Sequence, residues 1–204
     1  MTEPEMGLRE LKKQMTRQAI TNAALRLTRE KGLDSVTVDE IAREAFVSPR
    51  TVSNYFTSKE EAVLSAGALD WRSVIEEFAR DPRTERPLEV MCELMCQFIR
   101  ARPRDELELL RQSIELVDAN PSLRSYQSAA ITRLEDVVRD LMATRTGIDP
   151  ATHMYPWLVA AAAGSAVRSA LRLWEHSGAD ADRLPELIEE AFGQISAGLP
   201  APQE

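Results

Sequence analysis

The sequence predicts an all-α protein, and three observations predict it. Apolar residues recur at intervals of three and four through one segment after another. Proline or glycine marks the breaks between those segments. No run of useful length alternates apolar and polar residues as a half-buried strand does. About nine helices account for the 204 residues, and hydrophobic side chains at 44 % supply enough material for a real core.

The first helix spans about Leu8 to Lys31, with Leu8, Leu11, Met15, Ala19, Ala23 and Leu27 forming an amphipathic stripe. Its basic residues Arg9, Lys12, Lys13 and Arg17 cluster at the start. Gly32 supplies a stop, and Leu33 to Ser35 form a bridge. A second helix runs over about 38–45. Thr37 stands at its N-cap, and Glu40 follows at capping-box spacing. Val38, Ile41, Ala42 and Ala45 share its apolar face. A third helix covers about 49–55, capped by Ser48 and carrying Pro49 at its first position, where a missing N–H costs nothing. Val52, Tyr55 and Phe56 face inward there, leaving Arg50, Thr51, Ser53 and Asn54 outward.

Ser58 caps a fourth helix, with Glu60 and Glu61 in its favourably charged first turn. Val63, Ala66, Leu69, Ile75 and Phe78 continue it to Asp81-Pro82. Leu88 to Ile99 mark a fifth, ended at Arg102-Pro103, and Leu107 to Val117 a sixth, ended at Asn120-Pro121. Leu123 to Leu141 mark a seventh, stopped near Gly147. The eighth runs from about Pro150 to Gly178 and the ninth from Asp182 to about Gly198.

Two short helices joined by a tight turn describe either an ordinary helical hairpin or a helix-turn-helix. The stretch from Thr37 to Lys59 resembles the DNA-binding signature of tetracycline-repressor-type (TetR family) regulators. Lys31-Gly32, Thr37-Val38, Ile41-Ala42, Val47-Ser48, Thr51, Tyr55-Phe56 and Lys59-Glu60-Glu61 carry the match, which covers about a quarter of the chain. Two departures stand out. Phe46 occupies a turn position where the family usually has glycine, because that residue tends to positive φ. Ser53 stands where an aromatic is frequent, so a stacking or thymine-methyl contact is in question.

The resemblance implies residues 1–58 as a DNA-binding domain and 59–204 as a helical effector-binding and dimerisation domain. Arg50 and Thr51, with Asn54 as a third reader, are expected at base edges. Thr37, Ser48, Tyr55 and Lys59 are expected on phosphates. Pro49 and Ser53 lie on the same helix and complete the set, and Lys12 and Arg17 on the first helix approach the backbone. Charge agrees in sign. Residues 8–59 hold ten basic and six acidic side chains, a balance of +4, which leaves −12 on the rest of a chain whose net charge is −8.

The segment WLVAAAAGSAVRSALRLW is apolar nearly all round and must be buried, inside one subunit or against a second. The resemblance favours a two-fold homodimer built on the last two helices. Its expected contacts are Trp157, Ala161, Gly164, Val167, Arg168, Leu171 and Trp174 on one, and Leu187, Ile188, Ala191, Phe192 and Ile195 on the other. A dimer suits a palindromic operator.

Met91, Met95, Phe98, Ile114, Leu134, Val138 and Trp157 are large, soft or aromatic, and line an effector cavity or simply fill the core. The C-terminal pattern resembles a TetR subgroup described as binding acyl-CoA-like ligands, which implies a small hydrophobic effector such as an acyl-CoA. Cys92 and Cys96 share one helix face, as small core side chains or as a thiol sensor.

No H-E-x-x-H, nucleophile elbow or glycine-rich phosphate loop is present, so neither an enzyme nor a cofactor is expected. The start of the chain lacks a leader pattern, and its longest apolar stretch is too short for a membrane span, so a cytoplasmic location is expected. The alternative function is a helical interaction module whose helix-turn-helix is degenerate.

Overall fold

The computed structural model describes residues 7–83 and 86–201. Among them the secondary structure is helical, in ten α-helices and two 3-10 turns. Helices α1 (Leu8–Lys31), α2 (Val38–Glu44), α3 (Pro49–Tyr55) and α4 (Lys59–Ala66) come first. They are followed by α5 (Arg72–Arg80), α6 (Pro87–Arg100), α7 (Arg104–Ala119), α8 (Pro121–Thr146), α9 (Tyr155–Ser177) and α10 (Leu184–Ser196).

The tenth helix arises because the expected fourth one breaks. α4 stops at Gly67, and α5 begins only at Arg72. Gly67 lies so close to α7 that an added Cβ would sit 2.4 Å from Ser113 Cβ and 2.7 Å from the Leu109 carbonyl oxygen. Asp70 then accepts the Arg72 N–H at 3.2 Å, a side-chain stop before the new helix. α9 also starts later than its pattern suggests. The Asp149 carbonyl accepts from Thr152 and His153 N–H at 3.1 and 3.0 Å, closing a turn ahead of Tyr155.

The chain forms two compact units. The first comprises the chain through Ala68 together with Leu109–Gln127. Its core gathers Ile20, Ala24 and Leu25 of α1 with Ile41 and Ala42 of α2, Val52 and Phe56 around α3, and Ala62 and Val63 of α4, joined by Val117 and Leu123. The stripe on α1 is used only in part. Leu8, Leu11 and Met15 remain exposed, and burial begins at Ile20. The second unit comprises Leu69–Glu108 and the chain from Ser128. There α10 packs on α9 and α6, and α5 packs on α6. Phe78, Met91, Ile99, Met142, Trp174, Leu184 and Ile188 are its fully buried large side chains.

Candidate DNA-binding surface

The local chemistry of residues 37–59 sets the geometry of this surface. The Thr37 side chain accepts the Glu40 N–H at 3.3 Å, and the Glu40 carboxylate accepts the Thr37 N–H at 2.9 Å, so the capping box is complete. Lys31 also pairs with Glu40. That ammonium and the Thr37 donors hold the Glu40 carboxyl at about 2, well below its ordinary 4.5. Ser48 Oγ accepts the Thr51 N–H at 3.1 Å and caps α3, with Pro49 at the first helical position. Val52 is the buried anchor of α3.

With Val52 inward, Arg50, Ser53 and Asn54 are exposed, and Thr51 and Tyr55 are half-buried. Thr51 Oγ1 shares a 2.8 Å hydrogen bond with Ser48 Oγ, and Ser53 Oγ donates to the Pro49 carbonyl at 3.2 Å. Arg50 and Asn54 therefore form the outward hydrogen-bonding pair on α3, with a short hydroxyl edge beside them. Thr37, Ser48 and Pro49 are exposed at the two helix starts. Lys12 is exposed on α1.

Two cations sit differently from the free phosphate ligands the sequence suggests. Lys59 Nζ donates to the Leu33 and Val36 carbonyls at 2.8 and 3.0 Å, which commits two of its three donors to the bridge ahead of α2. Arg17 lies 4.5 Å above the Phe56 ring and donates to Ser65 Oγ at 3.2 Å. Both hold the frame on which α3 is mounted. Such partners are distant in sequence, so no local pattern reveals them.

In the second unit four of the residues expected at a subunit interface are used internally. Trp174, Leu187, Ile188 and Phe192 are buried between α9, α10 and α6. Gly164 makes room for Glu135 of α8, whose carboxylate accepts from Arg168 at 2.7 Å. Val167, Leu171, Ala191 and Ile195 are half-buried. The open face of α9 carries the expected Trp157 and Ala161 together with Leu158, Ser169, Arg172 and Leu173, with Leu158 58 % exposed.

The proposed effector residues are only partly brought together. Met91, Met95 and Phe98 of α6 and Val138 of α8 are buried in the second unit, and Leu134 is half-buried. Ile114 belongs to the first unit. Trp157 is fastened at the surface, its Nε1–H donating to the Pro150 carbonyl at 2.8 Å beneath the Arg139 guanidinium. A groove of about 430 Å³ does run between α6 and α10, past Leu88, Cys92, Cys96, Arg100, Glu189 and Phe192. Cys96 is buried against the Pro185 carbonyl. Cys92 is half-buried, and its hydrogen bond with Cys96 lowers its thiol pKa. Among the described residues no cluster of three or more metal-ligating side chains occurs, and no helix is long and apolar enough to cross a membrane.

Residues 20–66 match the family model for bacterial regulatory proteins of the tetR family, and residues 85–200 match that of the MftR C-terminal domain. The chain is 29 % identical to the HTH-type transcriptional regulator TcmR of Streptomyces glaucescens, over 95 % of this chain and 88 % of the relative. It is 27 % identical to the HTH-type transcriptional repressor KstR of Rhodococcus jostii, over 83 % and 86 %. Among solved structures, Thermus thermophilus FadR in complex with lauroyl-CoA aligns at 25 % identity and a TM-score of 0.54, over 92 % of this chain and 97 % of that one.

Proposed function

Because the chain belongs to the tetR family of bacterial regulatory proteins, a family of ligand-responsive DNA-binding regulators, we propose that it is a homodimeric one-component repressor working in the cytoplasm. The observation that carries this reading is the capped α2–α3 pair, which directs Arg50 and Asn54 away from a core anchored by Val52. Arg50 and Thr51, with Asn54, read base edges in the major groove. Thr37, Ser48 and Tyr55, joined by Lys12, position the helix on phosphates. DNA binding is assigned to residues 1–58, and effector binding and dimerisation to 59–204. The compact first unit extends past that boundary to take in α4 and Leu109–Gln127.

Two copies meet through the open α9 face, where Ala161, Ser165 and Ser169 let a partner helix approach between Met154, Leu158 and Leu173. The dimer sets two α3 helices on half-sites of a palindromic operator, about 34 Å or a multiple of it apart. The effector is a small hydrophobic molecule of the acyl-CoA class, taken up in the second unit among side chains such as Met91, Met95 and Phe98. The FadR–lauroyl-CoA likeness supports that class. Release of DNA requires the effector to bind the DNA-incompetent arrangement more tightly than the competent one. The protein acts through this linkage, without catalysis.

The test starts by selecting a binding sequence from genomic fragments, then titrates the complex with lauroyl-CoA or with coenzyme A alone. The expected outcome is release by the acylated molecule only. Saturating lauroyl-CoA with no release discards the acyl class, and failure to enrich any sequence discards the regulator.

A further inference from the structure

Phe46 stands in the turn between α2 and α3 with φ 54. That left-handed conformation is costly for a bulky L-residue, and glycine or asparagine adopts it more readily. Strain of this kind persists where the surrounding structure over-determines it, and it clusters at functional sites. The ring of Phe46 returns nothing to the fold, because it is 95 % exposed. Position 46 therefore carries two costs at once, a strained backbone and a hydrated aromatic ring. The backbone around it is nevertheless fixed. Phe46 N–H donates to the Arg43 carbonyl at 3.2 Å and Val47 N–H to the Ala42 carbonyl at 2.9 Å, so the ring is presented from a rigid base.

Its place in the fold indicates what it is presented to. Phe46, Ser48, Pro49 and Arg50 are exposed at and before the start of α3, with Val47 half-buried between the first two. A helix-turn-helix places that end of its second helix in the major groove, with the turn beside the groove edge. The apolar feature a duplex displays in the major groove is the thymine methyl, which aromatic side chains contact favourably. α3 itself has no fully exposed aromatic. Ser53 is a hydroxyl bonded to its own helix, and Tyr55 is half-buried with its ring centroid 6.4 Å from that of Phe56.

We propose that Phe46 is a DNA-contacting residue whose ring lies on a thymine methyl at the edge of each half-site, so that one operator position is read from the turn rather than from α3. The inference rests on the regulator reading above. It also gives a role to the departure from the family pattern at position 46.

The experiment uses the full chain, its selected operator, and two variants. Phe46→Ala removes the ring and keeps the strain, whereas Phe46→Gly removes both. Both are expected to lose about tenfold in operator affinity, the scale of one good base-edge contact, while Phe46→Gly melts about 2 °C higher than wild type. Uracil is then placed at each symmetry-related pair of thymines in turn. One pair is expected to weaken the wild type and leave Phe46→Ala unaffected, the signature of a direct coupling. Variants that bind as tightly as the wild type overturn the contact. A loss of affinity with no thymine coupled to it overturns the methyl assignment. A wild-type chain that selects no operator overturns the regulator reading itself, which keeps the two failures apart.

Discussion

Replacing Lys59 by methionine separates a phosphate ligand from a structural clamp. The substitution keeps most of the side-chain stem and removes the ammonium that bonds the Leu33 and Val36 carbonyls at 2.8 and 3.0 Å. Hydrogen bonds from a charged donor contribute about 1.5–3 kcal/mol each. Lys59 is half-buried, so solvent screening reduces both, and a combined loss of about 2 kcal/mol is reasonable. For a chain of this length that corresponds to a fall of about 4–8 °C in melting temperature. The assay is a thermal melt followed by circular dichroism, paired with operator binding by fluorescence anisotropy across a salt series. The expected result is a lower melting temperature, weaker operator binding, and a dependence of log affinity on log salt close to that of wild type. An unchanged melting temperature, with the salt slope reduced by about one per subunit, would refute the clamp and return Lys59 to the phosphates.

The Glu40 carboxyl has a folded-state pKa of about 2 against an ordinary 4.5, so its contribution to stability is fully present above about 4.5 and is lost as pH falls toward 2. The melting-temperature gap between wild type and Glu40→Gln should therefore begin to shrink as pH falls below about 4.5 and close only near 2; a gap that stays constant contradicts the ionised capping box. Gly67→Ala drives a methyl group to 2.4 Å from Ser113 Cβ and should lower stability by about 1–3 kcal/mol in urea unfolding. An unchanged midpoint would mean that the α4 end and α7 are not in such close approach. Leu158→Arg places a charge on the open α9 face and should convert dimer to monomer in sedimentation, whereas an intact dimer would move the interface elsewhere.

The elements most legible in the sequence are those fixed by local chemistry. α1 ends at Lys31 because Gly32 follows with φ 81, and α3 is bounded by its Ser48 cap and Pro49. α2 carries its own capping box. Each depends on residues within four positions of one another, which a linear reading captures. What escapes it is set by distant partners. The close approach of Gly67 to Ser113, which leaves no room for a side chain where α4 stops, is made between residues far apart in the chain. The orientation of α9 is equally hidden. A helix apolar on all sides has no stripe to read, and its orientation is decided by α10, α6 and the Glu135 carboxylate seated at Gly164.

The reverse error occurs on α1, where a regular apolar stripe is left half uncovered at Leu8, Leu11 and Met15. Periodicity identifies a face without saying whether anything covers it. The candidate DNA-binding surface divides along the same line. Arg50 and Asn54 stand outward as the pattern of α3 requires, whereas Arg17 and Lys59 are drawn to Phe56, Ser65 and two backbone carbonyls that only the folded chain brings near.

The most direct test of the central claim is a comparison of wild type with Arg50→Ala on the selected operator and on duplexes changed one base pair at a time. Arg50→Ala is expected to lose about 1–3 kcal/mol on the selected operator and to become indifferent to the base pair at one position in each half-site, with preferences elsewhere retained. A variant that keeps the full wild-type preference at every position would contradict the claim that α3 reads the operator through Arg50.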